Sequence, residues 1–116
     1  ARLLDEIGVD NVKANPDPGN MFSTSTAERN PDALDQLAGR IGYFHFKNCQ
    51  ALPGKQWNYS VLLADGHIDF YKWTDKLVKL GFEGPVCVEY CGVGDPHVAA
   101  EQDRLYLDKI LSWVKH

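Results

Sequence analysis

Long apolar runs are absent from this sequence. Nothing in it approaches the roughly 18 consecutive apolar residues of a membrane-spanning helix. An excess of basic charge is also absent. The 12 Lys and Arg against 16 Asp and Glu leave a net charge of -4, which argues against a general nucleic-acid binder. Cysteine is scarce, with three residues and no Cys-x-x-Cys pair, so a disulfide scaffold is not expected and a reducing, cytoplasmic compartment is. No internal repeat and no glycine-rich phosphate cradle is found. Arg29 and Arg40 stand isolated, so the sequence does not decide whether a phosphate is bound. The opening Ala1–Gly8 is too charged to read as a signal peptide. What is present is ordinary for one globular domain: 116 residues, 44% apolar and 24% charged.

The stretch Ile41–Asn48, Ile-Gly-Tyr-Phe-His-Phe-Lys-Asn, carries the strongest pattern. Successive side chains of a strand point to opposite faces. Tyr43, His45 and Lys47 therefore share one face, and Phe44 and Phe46 the other. Val12–Asp17 places Lys13, Asn15 and Asp17 together in the same way, and Pro85–Cys91 does so for Cys87, Glu89 and Cys91.

Between these strands the spacing predicts helices. Leu3, Leu4 and Ile7 fit a short helix ended by Gly8; with no N-cap before it, something upstream is expected to be missing. Asn11–Asn15 reads as a strand leading into a stiff turn at Pro16–Asn20, and residues 21–29 as a polar loop. Asn30 and Pro31 open a second helix with Leu34, Leu37 and Ala38 on its apolar face. Residues 49–66 read as a long irregular stretch. Asp69 caps a helix whose face is Phe70, Trp73, Leu77 and Leu80. Asp95-Pro96 opens a last helix running to about Lys115, with Leu107, Ile110, Leu111 and Val114 as its stripe.

This alternation predicts an α/β fold with a parallel sheet. Three parallel strands leave edges unpaired, and a closed barrel needs about eight strands and roughly 250 residues. Residues 1–116 are therefore expected to be an incomplete domain, the last three strand–helix units of a TIM (β/α)8 barrel. In such barrels the active site lies at the C-terminal strand ends. Asp17, His45 and Glu89 occupy that end and are ligand types for a divalent cation. Lys47 shares their face and suits a substrate oxygen, or simply solvent. Cys87 is expected to be a small core residue. Cys49 and Cys91 lack the partners of a nucleophilic thiol.

The motifs Asn15-Pro16-Asp17-Pro18-Gly19-Asn20, Tyr43-Phe44-His45-Phe46-Lys47-Asn48, Asp65-Gly66-His67-Ile68-Asp69-Phe70, Gly81-Phe82-Glu83-Gly84 and Val88-Glu89-Tyr90 follow one another in order. Together they resemble the C-terminal portion of the xylose isomerase-like TIM-barrel superfamily, the sugar phosphate isomerase/epimerase group. The resemblance implies one divalent ion, Mn, Mg, Co or Zn, held by two glutamates, an aspartate and a histidine. Asp17, His45 and Glu89 match three of these, and the other glutamate would lie on an earlier strand. It implies Glu89 as one member of an acid–base pair shifting a proton beside a carbonyl. Lys47, two after the histidine and on its face, is placed to hydrogen-bond a substrate hydroxyl or enolate oxygen as a second catalytic residue.

Asn20 stands where relatives often carry a histidine and suits a substrate hydroxyl. Asn15 is placed to orient Asp17. Trp57 is placed to stack on a sugar, or to anchor its own loop. Asp65 and His67 resemble the zinc pair of the AP endonuclease branch but lie at the start of a helix, so His67 is expected to be exposed. The expected activity is isomerisation or epimerisation of a sugar or sugar phosphate, in a complete barrel. The alternatives are a hydrolase or lyase of AP endonuclease or inosose dehydratase type, or a non-catalytic piece that assembles with the missing N-terminal barrel portion or with itself. Neither nucleic acid nor membrane is expected as a partner.

Overall fold

Phe44 and Phe46 set the layering. Both lie on strand β1 (Phe44–Phe46) and are 0% and 1% exposed. Their rings meet edge-on at 5.0 Å, and Phe46 touches Phe70 at 5.2 Å. The computed structural model describes residues 1–114.

β1 is flanked on both sides by parallel neighbours. On one side the backbone of residues 14–16 runs beside it: Ala14 and Ile41 form a parallel bridge, and the His45 N–H donates to the Pro16 carbonyl at 3.0 Å. The expected strand Asn11–Asn15 is thus reduced to a single bridge. Pro16 has no N–H to extend the ladder. On the other side β4 (Val86–Val88) pairs in parallel, with Phe44 opposite Val86, His45 opposite Cys87 and Phe46 opposite Val88.

Two helices cover the phenylalanine face. Helix α3 (Phe70–Lys79) buries Phe70, Trp73 and Leu77, and the Asp69 carboxylate accepts the Tyr71 N–H at its start. Helix α4 (Pro96–Val114) buries Ala99, Leu107 and Ile110. Leu111 and Val114 pack half-buried beside them. Lys115, the expected end of this helix, lies outside the described residues. Helix α1 (Arg2–Ile7) ends at Gly8, whose φ of +71° suits glycine.

Several expectations change. Residues 21–29 are not a loop: helix α2 (Pro18–Thr24) begins at Pro18, and a 3-10 turn follows over Thr26–Arg29. The helix from Pro31 is a 3-10 helix ending at Leu37, with Asn30 capping the Asp32 N–H and Leu34 buried, while Ala38 is exposed. Residues 49–66 contain an antiparallel hairpin, β2 (Gln50–Leu52) with β3 (Gln56–Asn58). Cys87 is half-buried rather than a core residue, because its strand side faces away from the helices.

Two buried polar groups tie the loops to this frame. The Asn48 amide nitrogen donates to the carbonyls of Leu63 (2.8 Å) and Ile68 (3.1 Å), and its oxygen accepts the N–H groups of Cys49 and Ile68. Asn48→Ala is therefore expected to lower the unfolding free energy by at least about 3 kcal/mol, since several buried backbone groups lose partners at once; a urea titration measures it.

Asp103 on α4, 2% exposed, accepts the Leu63 N–H at 2.9 Å. Burial pushes its carboxyl above the usual range, against the Leu63 hydrogen bond and helped by the charge of Asp65. A carboxyl raised in the folded state contributes stability below its unfolded pKa and loses it as pH rises through the folded value. Asp103→Asn, which keeps an acceptor for Leu63, is expected to raise Tm at neutral pH. Thermal melts should show the gain vanish as pH falls below the carboxylate range.

Candidate metal centre

Each candidate ligand is placed by a local device. Asp17 is the N-cap of α2. Its Oδ1 accepts the Asn20 N–H at 3.1 Å and its Oδ2 accepts the Asn20 side-chain amide at 3.1 Å. The first turn of α2 lies directly on β1: a Cβ at Gly19 would sit 2.8 Å from the Lys47 carbonyl and 3.2 Å from Asp17 Oδ1, so only glycine fits without a shift. His45 projects from the middle of β1, opposite the phenylalanines. Glu89 follows β4, its N–H donating to the Phe46 carbonyl at 2.9 Å.

These three side chains meet. One ligand atom from each of Asp17, His45 and Glu89 falls within 4.8 Å of the other two. His45 Nδ1 lies 3.8 Å from Asp17 Oδ2 and 3.7 Å from Glu89 Oε2. No other cluster of three such residues forms among the described residues, and Asp65 and His67 stay outside this one. His67 is exposed, as expected.

Lys47 completes the arrangement. Its Nζ lies 3.2 Å from Asp17 Oδ2 and 2.9 Å from Glu89 Oε2, with its side chain 9% exposed. Burial opposes the ammonium charge, yet the contact with Glu89 and the charge of Asp17 outweigh it and raise the Lys47 pKa. The hydrogen bond from Lys47 lowers the Glu89 pKa against burial, with the charges of Lys47 and His45 adding to the effect. Two carboxylates that converge on one point already receive a cation there, and the His45 imidazole faces the same point. One acid, one imidazole and one further acid fit a hard or borderline divalent ion. Asp17, His45 and Glu89 would hold it.

Other expected site residues take different places. Asn15 does not reach Asp17; its amide nitrogen lies 3.3 Å from His45 Nε2. With the Asn15 amide turned, its oxygen accepts from Nε2–H and leaves the Nδ1 lone pair facing the carboxylates, the tautomer that ligates a cation. The Asn20 amide is engaged by Asp17. Trp57 meets Phe22 edge-on at 5.6 Å and lies under the Arg29 guanidinium at 5.2 Å, anchoring the hairpin to α2.

Tyr59 was not singled out from the sequence. Its ring lies 5.4 Å from Lys47 Nζ, and its hydroxyl donates to Ser23 Oγ at 2.6 Å. The alternation of Trp57 and Tyr59 around Asn58 was the available signal. Burial pushes the Cys49 thiol up to about 11, with Arg29 and Lys47 pulling down and Asp17 pushing up, so it stays protonated.

The sequence matches the xylose isomerase-like TIM barrel pattern over residues 1–110. The chain belongs to the xylose isomerase-like TIM barrel family. No curated protein matches the sequence. Among solved structures it is similar to an L-ribulose 3-epimerase, with TM-score 0.79 and 19% identity over 98% of this chain and 41% of that one. A xylose isomerase domain protein from Alicyclobacillus acidocaldarius gives 0.77 and 24% over 99% and 42%. A xylose isomerase-like TIM barrel protein from Mycobacterium smegmatis, in complex with magnesium, gives 0.75 and 22% over 97% and 38%. At these identities the likeness is one of fold, and the chain spans about two fifths of each relative.

The Lys47–Glu89 coupling has a direct consequence. A lowered Glu89 pKa means the pair contributes fully above the usual carboxylate range and is lost as pH falls through the folded value. Lys47→Met is expected to move the Glu89 titration upward, read by carboxyl carbon NMR. An unmoved Glu89 would disprove the coupling.

Proposed function

We propose that residues 1–116 are the last three strand–helix units of a TIM barrel and supply most of a divalent-metal centre that isomerises or epimerises a sugar or sugar phosphate. The observation that carries this reading is the convergence of Asp17, His45 and Glu89 within 4.8 Å at the C-terminal ends of adjacent parallel segments. The free edge of β4 and the two-fifths coverage of relatives support a missing N-terminal barrel portion as the partner, with self-association as the other way to cover that edge. Three free cysteines suit a reducing compartment such as the cytoplasm. No helix among the described residues is long and apolar enough to cross a membrane.

When bound, a divalent ion (Mn, Mg, Co or Zn) supplies Lewis acidity toward the substrate's oxygens. This chain's residues do the rest. Asp17 and His45 hold the ligand face in place through Asn20 and Asn15. Glu89, kept ionised by Lys47, takes or returns a proton at the carbon beside the carbonyl. The Lys47 ammonium donates to the oxygen on which negative charge develops. The second glutamate of the acid–base pair comes from outside this chain. Asn20, through its bond to Asp17, and Asn15 and Trp57 at the rim are the further side chains offered for substrate contact, Trp57 only if its ring leaves the contact with Phe22 and Arg29.

In the intact protein, Mn²⁺ binding by calorimetry should weaken by about 10-fold or more in Glu89→Gln, with an unchanged circular dichroism spectrum. Solvent deuterium should wash into the carbon beside the carbonyl of a ketopentose or ketohexose in the wild type and not in the variant. Wash-in that survives Glu89→Gln sinks the assignment.

A further inference from the structure

Arginine in this chain is almost always matched to a carboxylate. Arg2 pairs with Glu6, Arg40 with Asp5, and Arg104 with Glu101 and Asp108. Arg29 is the exception among the described residues: no carboxylate lies within 4.0 Å of it. Its Nε donates to the Phe22 carbonyl at 2.8 Å, and its guanidinium lies over the rings of Phe22 (5.0 Å) and Trp57 (5.2 Å). The side chain is thereby fixed in place while its terminal nitrogens stay available. In a chain of net charge -4 such a guanidinium is an ordered, uncompensated cation.

It does not stand alone. A pocket of about 320 Å³ lies between α2 and the start of α3, lined by Phe22, Arg29, Asn30, His67, Asp69 and Lys72, among others. His67 is held there by its backbone, whose N–H donates to the Cys49 carbonyl at 2.8 Å. Asn30 spends its side-chain oxygen on the Asp32 N–H, which leaves its amide hydrogens to donate. The single opposing charge is Asp69. Its Oδ1 accepts the Tyr71 N–H, and its Oδ2 lies 3.8 Å from Lys72 Nζ. The α3 N-terminus is already capped by Asp69, so the positive charge in the pocket is that of the side chains.

We infer that this pocket binds an oxyanion of the phosphate class, with Arg29 as the bidentate partner, Lys72 as a second charge and Asn30 and His67 as further donors. The planar fork of arginine matches two phosphate oxygens, lysine adds a point charge, and the aromatic floor excludes water from one side of the guanidinium. The pocket is separate from the Asp17–His45–Glu89 cluster and needs neither metal nor turnover, so it stands or falls apart from the isomerase reading.

Inorganic phosphate titrated into the intact protein, followed by calorimetry and by amide NMR shifts, tests it. Saturable binding is expected, weakened about 10-fold or more by Arg29→Met and about threefold by Lys72→Met, and unchanged by Glu89→Gln. Lys72 is largely exposed, so its variant keeps the fold if the loss of Arg29 disturbs the packing of Phe22 and Trp57. Glycerol 3-phosphate that displaces inorganic phosphate more tightly with Mn²⁺ present supports the pocket as the seat of a substrate's phosphate. Equal displacement with and without Mn²⁺ supports it as a site for free phosphate. No saturable binding overturns the inference. So does binding that survives both pocket variants, or binding that disappears in Glu89→Gln alone.

Discussion

The alternation of side chains along β1 is the constraint that everything else in this chain obeys. Phe44 and Phe46 must enter the helix layer, because together with Phe70, Trp73 and Leu77 they form the centre of the core. Period two then leaves His45 no choice but the opposite face. The parallel register carries the same decision sideways. His45 stands opposite Cys87, so Glu89 emerges just beyond it, and the His45 N–H reaches Pro16, which leaves Asp17 next to the same point. A slip of one residue in β1 would bury the imidazole and expose the phenylalanines. Core packing and ligand placement are therefore one requirement, expressed on two faces.

Convergence of this kind has an electrostatic cost that the structure meets in several ways. Asp17 is 8% exposed, and a buried carboxylate without partners is expensive. Asn20 supplies two donors to Asp17, and Lys47 supplies charge to both Asp17 and Glu89. The Tyr59 ring faces the ammonium from the hairpin side, a geometry in which the ring quadrupole adds to the attraction. The hairpin is in turn held to α2 by the Tyr59–Ser23 hydrogen bond and the Phe22–Trp57 contact. The loops around the candidate centre are thus packed against one another and against the ligands they surround.

How much of this could be read in advance follows from the range of each signal. Strand alternation and helix caps are local, and so β1, β4, α3 and the start of α4 were legible, as was the triad that strand parity brings together. Helix α2 was not. It is only seven residues long, it opens with Pro-Gly-Asn, which reads as a turn, and its polar run Ser23–Thr24 hides its period. The β2–β3 hairpin was hidden because its turn lacks an Asn-Gly signal and uses Gly54 and Lys55 at positive φ. The partner of Asn15 was misjudged because register, not sequence distance, decides which side chain it meets. Arg29 looked isolated because its neighbours Phe22, Trp57 and Lys72 come from three separate elements.

Two of the sequence motifs turn out to be halves of one device. Lys47-Asn48 follows β1 directly, and Asp65-Gly66-His67-Ile68 precedes α3. The Asn48 amide binds both sides of the later turn, and a Cβ at Gly66 would collide with that amide. The turn must therefore close tightly over Asn48, which fixes where β1 ends. That fixed end presents the Lys47 carbonyl to Gly19, the one residue type that lets the first turn of α2 approach so closely. Because Asp17 caps that same turn, the position of its carboxylate depends on an amide that is not itself one of the candidate ligands. Substitutions at Asn48, Gly66 or Gly19 should thus act on the centre through backbone placement, without touching a ligand atom.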